Sequence, residues 1–262
     1  MRVVSVVSAK GGVGKTTLAA NLASVLGSSG RRVIAVDFDP QNALRLHFGV
    51  PIDSYDGVAR ATLAGDSWRS VMFDGIDSVT MLPHGALNED DRRVFEARLD
   101  NDPYLIRESL EALALDADDI VLIDTPPGAT VYTRAALLGA NFVLNIVIAD
   151  AASYAAIPQM ERLIQTYAVP RDDFLGYGYV INQVDLGRSL TKDVVKVLRD
   201  ALAPNLFPGV VHLDQGVSEA LAYDTTVIHY DPPSQAAADL RACGNWLDAC
   251  LSGQAKLPRN AA

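Results

Sequence analysis

Short apolar runs recur along the chain, each followed by a polar or glycine-rich turn and then by a stretch with helical spacing. Val3, Val4, Val6 and Val7 open the series, and residues 32–36, 79–83, 120–123, 142–148 and 177–181 continue it, with a shorter Val210-Val211. Short, mostly apolar runs bounded by turn residues read as buried strands. Between them, residues 18–26, 103–115, 154–167, 191–202, 214–222 and 234–251 read as helices; in the second of these, Leu105, Ile106, Leu110, Leu113 and Leu115 fall roughly on one side. Residues 43–48 and 58–64 read as short helical pieces, and the charged stretch 88–100 as an exposed helix. The pattern is that of an α/β chain. With no repeat, low-complexity linker or composition break, it predicts one domain over 1–252 and a short tail over 253–262.

The first turn carries the chemistry. Ser8-Ala9-Lys10-Gly11-Gly12-Val13-Gly14-Lys15-Thr16-Thr17 lies between the first strand and the first helix, the context of a phosphate-binding loop. Glycines at 11, 12 and 14 let backbone N–H groups converge on phosphate oxygens. Lys15 is placed for the β- and γ-phosphates of ATP, and the Thr16 hydroxyl for a Mg²⁺ ion that keeps several waters. The positive end of the following helix faces the same anions. Two further strands end in carboxylates. Residues 32–36 run into Asp37-Phe38-Asp39-Pro40-Gln41-Asn42, and 120–123 into Asp124-Thr125-Pro126-Pro127-Gly128. Strand ends of this kind are where α/β folds gather ligands, and Asp124 is placed to hold Mg²⁺ through water opposite Thr16.

Composition narrows the class. At 262 residues, 49% hydrophobic and 21% charged, the chain is long and apolar enough for a large core, which excludes a disordered protein. A formal net charge of −10 argues against nucleic acid as a partner, since phosphates would be repelled. Cys243 and Cys250 sit on one face of the terminal helix but two turns apart, too far to bond, which suits a reducing compartment. The N-terminus reads directly as a strand, so no secretory leader is expected, and the most apolar stretch is broken by Asn145 and Asp150, which argues against a membrane span. His47 and His84 lack a second ligand at metal spacing and read as structural, as do Trp68 and Phe73.

Glycine stands at position 9 in the general phosphate-loop pattern, and here it is Ala9. With Lys10, the segment Lys10-Gly11-Gly12-Val13-Gly14-Lys15-Thr16-Thr17 resembles the deviant Walker A motif of the MinD/ParA ATPases, as Asp37 to Asn42 and Asp124 to Gly128 resemble their later signatures. The resemblance covers nearly the whole chain. It implies a P-loop NTPase of one doubly wound, mostly parallel sheet with helices on both faces, binding ATP and Mg²⁺ and hydrolysing ATP slowly without a partner. By resemblance, Gly11, Gly12, Val13, Gly14, Lys15, Thr16 and Thr17 cradle the phosphates, and Asp37 joins Thr16 and Asp124 near the metal. Asp39 orients the attacking water, Asn182 reads the adenine edge, and Lys10 crosses to the phosphates of a second copy in an ATP-dependent homodimer. Residues 214–222 resemble the loop and helix beside the base, although His212 stands where the family commonly has proline. Residues 44–50, 59–69 and 82–85 resemble the BcsQ branch, the MinD-like members of bacterial cellulose secretion. That branch implies a cytoplasmic ATPase docked to cellulose synthase accessory proteins, reaching the inner membrane or cell pole only through partners. A membrane-binding terminal helix would want a basic tail, and only Lys256 and Arg259 follow it. The alternatives are a ParA-type chromosome or plasmid partitioning ATPase and a MinD-like protein that positions another cell-envelope machine. A nitrogenase-type reductase is excluded, since no cysteine lies between Met1 and Asn182.

Overall fold

A computed structural model describes residues 1–255 and 257, so Lys256 and Arg259 lie outside the described residues. Seven strands form one sheet in the order β3-β4-β2-β5-β1-β6-β7: β1 (Arg2–Val7), β2 (Val33–Asp37), β3 (Phe73–Asp74), β4 (Val79–Leu82), β5 (Ile120–Asp124), β6 (Phe142–Ile148) and β7 (Gly176–Asn182). Every pairing is parallel except that of β3 with β4. Alternate residues of the buried strands feed opposite cores. Val4, Val6, Ala35 and Leu122 face one, packed with helices α1 (Lys15–Ser28) and α10 (Gln235–Leu251). Val3, Ile34, Val36 and Ile123 face the other. That opposite face is covered by α2 (Val58–Ala64), α3 (Glu89–Asn101), α4 (Leu105–Glu111) and α5 (Val131–Gly139). Past β1, α6 (Ala151–Tyr167) and α7 (Ser189–Leu202) cover the β6 and β7 end. The sheet is thus doubly wound and buried on both faces, which is why its strands are mostly apolar, with Ser5 and Asn145 as buried exceptions.

Several elements differ from the sequence reading. Residues 44–48 form a 3₁₀ turn, and α5, β3 and α9 (Val227–Tyr230) were not legible as separate elements. α3 is not wholly exposed: Phe95 and Leu99 are fully buried, and Phe95 packs edge-on to Phe38 at 6.1 Å. Val210-Val211 does not form a strand. Tyr179 accepts from Phe207 N–H at 2.9 Å and Ile181 from Val211 N–H at 2.9 Å, so residues 207 to 211 span what β7 covers in two. The excess bulges out at Pro208-Gly209 and breaks the ladder. The irregular segment still lies along β7, and α8 (Gln215–Ala222) follows it. Both cysteines are free and buried.

Candidate functional site

The carboxyl ends of β1, β2 and β5 bring the sequence-predicted residues together. Gly12 and Gly14 have φ of 77° and 76°, open to glycine at little cost, and a Cβ at Gly14 would lie 2.7 Å from Asn182 Nδ2. The backbone thereby turns from β1 directly into α1, with Gly14 as its N-cap and the N–H groups of the first turn unclaimed by a capping side chain. The loop is tied to the segment after β5: Gly128 N–H donates to Ser8 O at 2.8 Å, and Thr125 Oγ1 to Val6 O at 2.9 Å.

Asp37 and Asp124 are opposite each other in the β2–β5 register, both fully buried. Asp37 accepts the N–H groups of Asp39 at 3.0 Å and Leu44 at 2.9 Å, yet burial and then the charge of Asp124 hold its carboxyl well above the usual range. Burial likewise pushes Asp124 up, against the pull of Lys15, whose Nζ lies 2.5 Å from Asp124 Oδ1, and of the Thr16 hydroxyl. Asp124 Oδ2 has no hydrogen-bond partner. A buried carboxylate oxygen without a partner, beside a second raised carboxyl and a threonine hydroxyl, fits a divalent cation, which would relieve both shifts. Among the described residues no group of three or more acidic, histidine or cysteine side chains forms a metal site by itself. Two carboxyls with a threonine hydroxyl suit Mg²⁺, which is held by one or two carboxylates and by phosphates. Asp39 lies at the rim, its Oδ1 accepting from Gln41 N–H at 2.9 Å.

Asn182 ends β7 beside the loop and donates from Nδ2 to Val13 O at 2.8 Å. With Gly14, Thr17 and Leu18 it lines a cavity of about 150 Å³ that extends to residues 211–214. Lys10 Nζ pairs within its own chain with Asp150 Oδ2 at 2.9 Å. Asp150 is also the N-cap of α6, accepting from Ser153 N–H at 2.5 Å. Burial pushes its carboxyl up, but donation from Lys10 and Ser153 outweighs this and holds it below its usual range. Sequence reasoning used Asp150 only as a charge that breaks an apolar run; an aspartate between a strand and a helical stretch was the N-cap signal that would have singled it out. Gln183 was missed also. Its Nε2 reaches Gly12 O at 3.4 Å from a residue with φ of 55°.

The two histidines behave as structure. His84 is sandwiched between Phe95 and Tyr132, both at 5.9 Å, and burial lowers its pKa. Burial holds His47 down to about 4 against the Thr225 carbonyl.

Comparison with known proteins gives the family and agrees with the fold. The model of the family described as Cellulose biosynthesis protein BcsQ matches residues 1–251. The BcsQ of Escherichia coli strain K12 is 30% identical over 250 residues, 94% of each chain. The chromosome partitioning protein ParA of Myxococcus xanthus is 28% identical over 251 residues, 94% of this chain and 87% of that one. Among solved structures, the septum site-determining protein MinD of Pyrococcus horikoshii, complexed with Mg-ADP, superposes with a TM-score of 0.78 at 25% identity, over 98% of this chain and 99% of that one. Among the described residues no helix is long and apolar enough to cross a membrane.

Proposed function

This chain belongs to the BcsQ family of MinD/ParA-type proteins, and from that premise we propose that it is an ATP-binding, ATP-hydrolysing dimerisation switch serving a bacterial cellulose synthesis and secretion complex. The observation that carries the reading is the convergence of Lys15, Thr16, Asp37 and Asp124 at the mouth of the glycine loop, with Asp124 Oδ2 left unpartnered.

In this reading Gly11, Gly12, Val13 and Gly14 present N–H groups to the phosphates, with Thr17 in the first turn of the helix behind them and Asn182 at the base. Lys15 leaves Asp124 for the β- and γ-oxygens, and Thr16, Asp37 and Asp124 hold Mg²⁺, directly or through water. The metal, once bound, neutralises charge on the transferred phosphoryl group. Asp39 orients water for in-line attack. Lys10 leaves Asp150 and reaches the phosphates of a second copy, a contact of the arginine-finger class that is worth about 10³ to 10⁵ in rate. Dimer formation and turnover are thereby coupled, and turnover without a partner is slow.

The working unit is a single domain over 1–252. It is cytoplasmic, and cellulose synthase accessory proteins supply its address at the inner membrane or cell pole. Likeness to ParA supports a second reading, a partitioning ATPase, but a net charge of −10 stands against DNA as the ligand.

Light scattering of wild type, Lys10→Ala and Asp39→Ala with ATP and Mg²⁺ tests the switch. Asp39→Ala is expected to accumulate as a nucleotide-loaded dimer and Lys10→Ala to remain monomeric; wild type that binds no adenine nucleotide would sink the reading. Co-purification with cellulose synthase subunits, set against an ATP-dependent DNA shift assay, separates the two readings.

A further inference from the structure

His212 lines the same cavity as Gly14 and Asn182, and it is fixed from behind by Asp239 of α10. Asp239 Oδ2 accepts the main-chain N–H of His212 at 2.9 Å and lies 2.7 Å from its Nδ1, while Oδ1 accepts from Gln235 Nε2 at 2.7 Å. A carboxylate has only lone pairs to offer, so Nδ1 carries the proton. In the neutral ring, Nε2 on the edge away from Asp239 is then an acceptor.

The same logic fixes Asn182. Val13 O can only accept, so the amide atom facing it at 2.8 Å is Nδ2, and Oδ1 is the acceptor left over. Asn182 at the end of β7 and His212 in the segment that precedes α8 thus both line the cavity, and each keeps one acceptor that its partner within the protein does not use.

We propose that His212, held in its Nδ1–H tautomer by Asp239, is a specificity-determining residue that acts with Asn182 to select a 6-amino purine over a 6-oxo purine. An exocyclic amine brings two N–H donors in the plane of the ring, one for each acceptor. A carbonyl at that position sets lone pairs where the amine had N–H groups, and the single N1–H beside it can satisfy at most one of the two protein acceptors, leaving the other unpaired. Asp239 is the positioning residue: without it the ring is free to turn or to exchange tautomers, and a ring that donates from Nε2 would no longer reject the carbonyl. The inference rests on reading the cavity as the base end of a nucleotide site.

Three nucleotides that differ at the 6-edge of the purine test it, with Kd measured by displacement of a fluorescent nucleotide: ATP, purine riboside triphosphate, which lacks the amine but keeps N1 as an acceptor, and inosine triphosphate, which has the carbonyl and a proton on N1. Wild type is expected to bind them in that order of affinity. His212→Ala should cut the ratio of inosine to adenine Kd by about tenfold, Asp239→Ala by less, and His212→Gln, which restores an acceptor, should recover part of it. Each ratio is taken within one variant, so a general loss of affinity cancels. Folding is checked by thermal unfolding, and the glutamine variant carries the test if the alanine variant is unstable. An unchanged ratio in His212→Ala, or wild type that does not separate ATP from inosine triphosphate, overturns the proposal. Wild type that binds none of the three overturns the nucleotide-site reading with it.

Discussion

Replacing Asp150 with asparagine should make the dimer form more readily. In the proposed dimer the Lys10–Asp150 pair has to break before Lys10 can reach a second copy, and its strength counts against association. Side-chain exposures of 32% and 41% place it among partly solvated ion pairs, which contribute about 0.2–1 kcal/mol each. A symmetric dimer breaks two of them, so up to about 2 kcal/mol opposes association, a factor of about 2 to 30 in the dimer constant. Asparagine is the informative substitution because Asp150 has a second task as the N-cap of α6. Asparagine caps as well as aspartate, so Asp150→Asn removes the charge and keeps the cap, whereas Asp150→Ala loses both and should unfold earlier by a further ~0.5–2 kcal/mol. Sedimentation velocity with ATP and Mg²⁺, in an Asp39→Ala background to hold the nucleotide, reads the constant directly. The gain should fade between 0.05 and 1 M salt, where screening shortens to about 3 Å. A dimer no tighter in Asp150→Asn than in its parent at low salt would refute the latch, and equal unfolding of the asparagine and alanine variants would refute the cap.

Acid sensitivity should be traceable to His47. Its pKa is lowered from 6.5 to about 4, so between those values the unfolded chain binds the extra proton and stability falls as pH falls, by up to about 3 kcal/mol, levelling off below pH 4. Urea unfolding of His47→Gln across pH 4–7 should show a shallower slope than wild type, and an identical slope would exclude His47 as the cause. In the α1–α10 contact, a Cβ at Gly244 would lie 2.5 Å from Val25 Cγ1. Gly244→Ala should therefore cost about 1–3 kcal/mol, a Tm loss of about 3–9 °C. Adding Val25→Ala should cost less than the sum of the single changes; strict additivity by calorimetry would show that the two positions do not press on each other.

What the sequence made legible was what local chemistry dictates. The buried strands were visible because a sheet covered on both faces takes apolar residues at most positions rather than at alternate ones, and the phosphate loop because Gly12, Gly14 and Lys15 have few substitutes there. The helix over Val131–Gly139 was missed because it follows Thr125 to Gly128 without a polar gap, although its N-cap, Thr130, accepts from Thr133 N–H and was there to be read. Val210-Val211 misled because apolar content signals burial, and Val211 is buried; pairing depends on register, which Pro208-Gly209 spoils. The partnerships of Lys10 with Asp150 and of His212 with Asp239 span 140 and 27 residues, and no local pattern encodes contacts that only the fold creates.

The irregular segment along β7 has a consequence for how copies of the chain can meet. An open sheet edge is a template onto which a foreign strand can zip, the usual route to uncontrolled fibres. On one side that template is spoiled by the bulged segment at Pro208-Gly209, and on the other by the two-residue β3 that runs against its neighbour. Neither border offers a long regular row of backbone groups. Backbone zippering between copies is thereby disfavoured, which leaves the loop-bearing end of the sheet for the ligand-dependent, reversible contact proposed above.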